Sequence, residues 1–97
     1  AAQLDKAGRD VLRKYGYGEY AIHRIGHGQG LGRHEEPYLI SNSNLVLEKN
    51  MVFTVEPGIY IDGVGGFRHS DTIIVTENGY ENVTDAPRSL EEMTFLC

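Results

Sequence analysis

The stretch His23-Arg24-Ile25-Gly26-His27-Gly28-Gln29-Gly30-Leu31-Gly32-Arg33-His34-Glu35-Glu36 decides how the rest of the chain is read. It holds three of the four histidines, and glycine takes every second position from 26 to 32. In an extended chain, side chains alternate faces with a period of two. A strand over Tyr20–His27 would therefore place His23, Ile25 and His27 on one face, with Gln29 following. The other face carries Arg24 and then only glycines, a row that lets a second backbone or a ligand come close. Two imidazoles on one face, a flexible glycine turn and a third imidazole at His34 point to a site rather than to packing. His34 to Pro37 reads as a turn, and Tyr38 to Ile40 as a short extended piece.

Downstream, Ser41-Asn42-Ser43-Asn44 is a polar loop, and a short helix is expected near Leu45–Lys49. Met51-Val52-Phe53-Thr54-Val55-Glu56-Pro57-Gly58-Ile59-Tyr60-Ile61 has the composition of a strand. Pro57 lacks an N–H and should sit at a bulge or a gap in the ladder. Glu56 ends an apolar run, where a carboxylate is costly to bury unless it is paired or binds a metal. Asp62 to Gly66 makes a reversal, Phe67 to Thr76 the next strand, Glu77-Asn78-Gly79 a hairpin turn and Tyr80 to Thr84 its return strand.

Upstream, residues 1 to about 15 read as an amphipathic helix. Leu4, Ala7, Val11, Leu12 and Tyr15 form the apolar stripe; Asp5, Lys6, Arg9, Asp10, Arg13 and Lys14 are assigned to solvent. Gly16 and Gly18 supply the stop. The fold class expected is α+β, an N-terminal helix packed on a curved antiparallel sheet of four or five strands.

With 97 residues the chain is one domain at most, and its net charge of −5 gives no general attraction to nucleic acid or to an anionic membrane. No apolar run approaches the roughly 20 residues needed to span a bilayer. The one cysteine, Cys97, cannot form an internal disulfide and is a poor candidate nucleophile in a terminal tail, so a reducing, cytoplasmic setting is expected. The chain starts without methionine, inside the expected helix, which suggests a piece of a longer protein.

His23, His27, His34, Glu56, Arg68, His69 and Asp71 are the residues with usable chemistry. Imidazole nitrogen and carboxylate oxygen are ligands of zinc, manganese, iron and cobalt. The spacing is not the helical H-E-x-x-H, because these residues lie on expected strands and converge only in the fold. Leu31 and Arg33 occupy the places where G-x-G-x-x-G needs its third glycine, and no G-K-S/T is present. Ser70 and His69 are adjacent on an expected strand and point apart, which argues against a serine–histidine nucleophile.

Taken together, His23-Arg24-Ile25-Gly26-His27-Gly28, His34-Glu35-Glu36-Pro37, Met51 to Gly58, Gly66-Phe67-Arg68 and Asp71-Thr72 resemble the Xaa-Pro dipeptidase and aminopeptidase P family. These are "pita-bread" metallopeptidases. The resemblance spans nearly the whole chain, in order, and implies that residues 1–97 are the C-terminal part of a pita-bread catalytic domain. It implies His27 and Glu56 as metal ligands, with Glu56 also moving protons. It implies His23 and His34 as catalytic and substrate-holding residues and Arg68 as a residue beside the site. It further implies a divalent metal (manganese, cobalt or zinc) and a short proline-containing peptide as substrate. The implied protein partners are the preceding half of the domain and a second copy in a homodimer.

Two departures stand against the pattern. The family reads Arg-x-Glu-Asp where this chain has Arg68-His69-Ser70-Asp71, so Ser70 replaces a metal-bridging glutamate. The family's two aspartate ligands precede the stretch that this chain covers. A relative with little or no metal acting on a small non-peptide substrate, as in creatinase, and a non-catalytic peptide-binding module are the alternatives.

Overall fold

The computed structural model describes residues 1–96 and is built from one helix, α1 (Ala2–Lys14), a 3₁₀ turn (Gly18–Tyr20) and seven strands. The strands are β1 (Gly26–Gly28), β2 (Glu35–Leu39), β3 (Val52–Val55), β4 (Gly58–Ile61), β5 (Gly65–Arg68), β6 (Asp71–Val75) and β7 (Tyr80–Asn82). Five form one antiparallel sheet in the order β2-β1-β3-β6-β7, and β4 pairs with β5 in a second. The α+β class is as expected. Cys97 lies outside the described residues.

The core is small: Ile25, Leu39, Phe53 and Ile73, with Leu4, Leu47, Val55 and Val75 packed against them. Truncating any of the four to alanine removes a large share of it, at about 2–5 kcal/mol each. Because β1 and β3 pair at Gly28↔Phe53, the histidine stretch is fixed beside the strand that runs into Glu56. A Cβ at Gly26 would collide with the Thr54 backbone carbonyl, so glycine is required for that approach.

Several local expectations are corrected. Tyr20 to His27 is not one strand: a 3₁₀ turn precedes it, residues 21–25 are irregular, and only Gly26–Gly28 joins a ladder. Face alternation therefore fails there, and Ile25 turns into the core while His23 and His27 turn to a cleft. His34 to Pro37 is not a turn, since Glu35–Leu39 pairs with β1 around a bulge between His27 and Gly28. No helix forms at Leu45–Lys49; that segment is irregular, and it leads through Asn50 at φ 73° into β3. Met51 to Ile61 splits at Glu56-Pro57 into β3 and β4, which belong to different sheets, consistent with the missing N–H of proline. Phe67 to Thr76 likewise splits into β5 and β6 at His69-Ser70.

On α1 the buried side is only partly the expected stripe: Leu4 packs against the core. Val11 and Tyr15 are exposed, whereas Asp5 is fully buried and Gly8 lies against Ile25. On this side Asp5 and Arg9 pair with each other, and Arg9 also donates to the Ala21 and His23 carbonyls. The sheet's hairpin at Glu77–Gly79 is present, closed by the Thr76 N–H donating to the Gly79 carbonyl at 3.0 Å.

Candidate metal half-site and substrate cleft

His23, Arg24, His27, His34, Ile40, Glu56 and Arg68 line one open cleft of about 470 Å³. All five residues singled out from the sequence as site residues are among them. They come from four places in the chain: the irregular segment and β1, the loop before β2, the break after β3, and the end of β5.

His27 is the most firmly held. Thr54, 2 % exposed, accepts from the His27 N–H at 3.1 Å and returns a bond from its hydroxyl to the His27 carbonyl at 3.4 Å. The ring Nδ1 lies 2.9 Å from the Gly28 carbonyl, which can only accept, so Nδ1 carries the proton. Nε2 is left with its lone pair facing Glu56 Oε1 at 3.6 Å. Glu56 is held in turn by its N–H on the Ile25 carbonyl at 2.6 Å, and its Oε2 accepts from the Ser70 hydroxyl at 3.2 Å.

Two acceptors facing each other call for a positive charge between them, a proton or a metal ion. Two ligand atoms each about 2.1 Å from a tetrahedral ion lie roughly 3.4 Å apart, close to the observed separation. The donor chemistry thus fits a metal. The donor number does not complete a site, since no group of three or more potential ligands converges among the described residues. His27 and Glu56 by themselves do not make a metal site.

The other imidazoles flank this pair. His34 stands edge-on to the His27 ring, centroids 4.2 Å apart. Its pKa is held below the ordinary imidazole value, first by desolvation, then by repulsion from the His27 ring in its protonated form and from the Arg24 and Arg33 charges; Glu56 opposes them. His23 Nδ1 donates to the Arg24 carbonyl at 2.7 Å, so the Tyr60 hydroxyl donates to its Nε2 at 2.8 Å. Arg24 in turn lies over the Tyr38 ring at 4.9 Å.

Sequence reading missed Tyr60, Arg24 and the contact between Ser70 and Glu56. Tyr60 sits two residues past Gly58, and its hydroxyl crosses from the second sheet, a contact no local pattern announces. Of the remaining candidates, Asp71 pairs with Arg88 rather than with the cleft, and His69 is not among the cleft residues.

The helix and antiparallel sheets match part of known pita-bread structures. Residues 1–77 match the model of metallopeptidase family M24, and the chain belongs to that family. The chain is 47% identical over 90 residues to the Xaa-Pro dipeptidase of Pyrococcus furiosus, covering 93% of this chain and 26% of that protein. It is 50% identical over 90 residues to the probable dipeptidase PepE of Mycobacterium tuberculosis, covering 93% of this chain and 24% of that protein. The structure of an Xaa-Pro dipeptidase from Bacillus anthracis superposes with a TM-score of 0.89 at 50% identity, over 92% of this chain and 25% of that one. The chain thus spans about a quarter of the length of the relatives it matches.

Proposed function

We propose that this chain supplies one share of the active centre of an Xaa-Pro dipeptidase-like hydrolase, which cleaves the bond before proline in short peptides. The observation that carries the reading is the pair His27 Nε2 and Glu56 Oε1 at 3.6 Å in a cleft shared with His23, His34 and Arg68. In this reading His27 and Glu56 hold a divalent metal together with ligands from outside the chain. When bound, the metal supplies Lewis-acid activation of water and of the scissile carbonyl.

The chain's own residues account for the rest. Glu56 is a carboxylate at the rim of the buried region, placed to take a proton from the attacking water and pass it on. His34 is held toward its neutral form, so its ring serves as a hydrogen-bond donor or acceptor toward substrate rather than as a fixed cation. His23 has a fixed Nδ1–H tautomer, and its Nε2 exchanges the Tyr60 hydroxyl for a substrate group. Arg68 places a cation at the same cleft, suited to a substrate carboxylate.

The test is a chimera in which this chain replaces the matching quarter of the Pyrococcus furiosus dipeptidase, assayed on an Ala-Pro-type dipeptide with added Mn²⁺. The expected outcome is metal-dependent hydrolysis that His27→Ala and Glu56→Gln each abolish, while the chain alone shows none. A folded chimera that is inactive both as built and with Ser70→Glu would refute the proposal.

A further inference from the structure

We infer that Arg9, on helix α1 and outside the cleft, is a positioning residue for His23. Its guanidinium spans three acceptors: Nε donates to Asp5 Oδ2 at 3.0 Å, Nη1 to the Ala21 carbonyl at 3.1 Å and Nη2 to the His23 carbonyl at 3.1 Å. Residues 21–25 have no ladder, so these carbonyls lack the partners a strand would give them. Among the described residues, Arg9 is the donor that reaches either one.

The fork is itself held rigidly. Asp5 is fully buried, one helical turn from Arg9, and a buried carboxylate is retained only against a firm partner. Its Oδ1 has no hydrogen-bond partner among the described residues, so Arg9 is its main compensation. Gly8 lets the helix lie against Ile25, where a Cβ would come within 3.3 Å of that side chain, and this sets the reach of the neighbouring Arg9.

The segment carrying the cleft histidines is thereby fixed at three points. Ile25 is buried in the core, Gly26 lies against Thr54, and Arg9 holds the two carbonyls on either side of Ile22. Ala21 is also buried and its N–H donates to the Gly18 carbonyl at 3.3 Å, but of all these holds only the Arg9 bond acts on the His23 backbone itself. With its backbone pinned there, the ring meets the Arg24 carbonyl and the Tyr60 hydroxyl together. Without the fork, His23 retains only side-chain bonds to hold it. Lysine cannot replace the arginine, because one ammonium on a flexible stem cannot span a carboxylate and two separate carbonyls in fixed geometry.

That His23 takes part in turnover rests on the proposed function, but the fork does not, and the experiment reads the His23 ring instead of activity. The probe is NMR of the isotopically labelled chain. In the unmodified chain, Arg9 should give two separate Nη signals and His23 a dominant Nδ1–H tautomer. Arg9→Lys should mix the His23 tautomers and speed exchange of the Ile25 amide, which bonds to the Leu39 carbonyl, by about tenfold. The Gln29 and Val75 amides, bonded to the Val52 and Met51 carbonyls, should change by less than about twofold. A folded Arg9→Lys chain with an unchanged His23 tautomer and an unchanged Ile25 amide would overturn the inference. If that variant does not fold, the unmodified chain decides: one averaged Nη signal for Arg9 overturns the inference, and two resolved signals support it.

Discussion

Ser70 stands where the resembled family carries a bridging glutamate, and its hydroxyl donates to Glu56 Oε2 at 3.2 Å. That bond leaves one negative charge where two carboxylates would otherwise face each other. Ser70→Glu therefore has opposite expected effects in the two states. Without metal, a second carboxylate beside Glu56 should destabilise the chain by about 1–4 kcal/mol, the range for like charges about 4 Å apart between bulk water and a protein surface. With Mn²⁺ present, the added ligand should tighten loading by roughly tenfold or more. Thermal unfolding with and without the metal measures both effects. A variant that is more stable without metal, or one that gains nothing from it, would contradict this reading of the pair.

At the scale of elements, the sheet ends in a polar tie. Arg88 donates two bonds to Asp71 at the start of β6, at 2.9 and 2.7 Å, and so anchors the segment after β7. The Arg88 guanidinium holds the Asp71 carboxyl below its usual range; desolvation opposes this more weakly. A carboxylate with a depressed pKa contributes stability that is present above its ordinary value of 3.8 and is lost as pH falls through its folded value. Arg88→Ala should lower stability slightly at neutral pH, remove this part of the acid sensitivity, and make residues 87–96 more sensitive to protease. Unfolding curves at pH 7 and pH 3 test it, and a variant as acid-sensitive as the parent would count against the tie. Much at this scale was legible in sequence. The Pro57 gap, the Glu77–Gly79 hairpin and the helix at the start follow from backbone chemistry that acts locally. What was not legible depended on distant partners. Asp5 and Arg9 have the one-turn spacing of a solvent-exposed ion pair, and nothing local announces that Arg9 also reaches the Ala21 and His23 carbonyls. Tyr20 to Ile25 has strand composition, yet Arg9 takes the carbonyls a ladder would have used. The site residues were reached through the resemblance of whole motifs; spacing alone left them scattered over more than forty positions.

For the molecule as a whole, the balance of covered and uncovered surface matters most. Ile22, Leu31, Val46, Val64, Tyr80 and Leu90 are each at least 70% exposed, against a fully apolar core of a few residues. In the proposed reading, these side chains would be covered by the rest of the domain or by a second copy. Sedimentation velocity of the chain alone should show self-association that rises with concentration; a strict monomer up to hundreds of micromolar would argue against it. The proposed pairing of His27 and Glu56 on one metal ion can be tested on the chain as it stands. Mn²⁺ added stepwise to the labelled chain should broaden the signals of His27, Glu56 and the adjoining His34 first, and His27→Ala should abolish that local effect. Broadening confined to exposed carboxylates such as Asp85 and Glu91, with no change on removing His27, would contradict the claim.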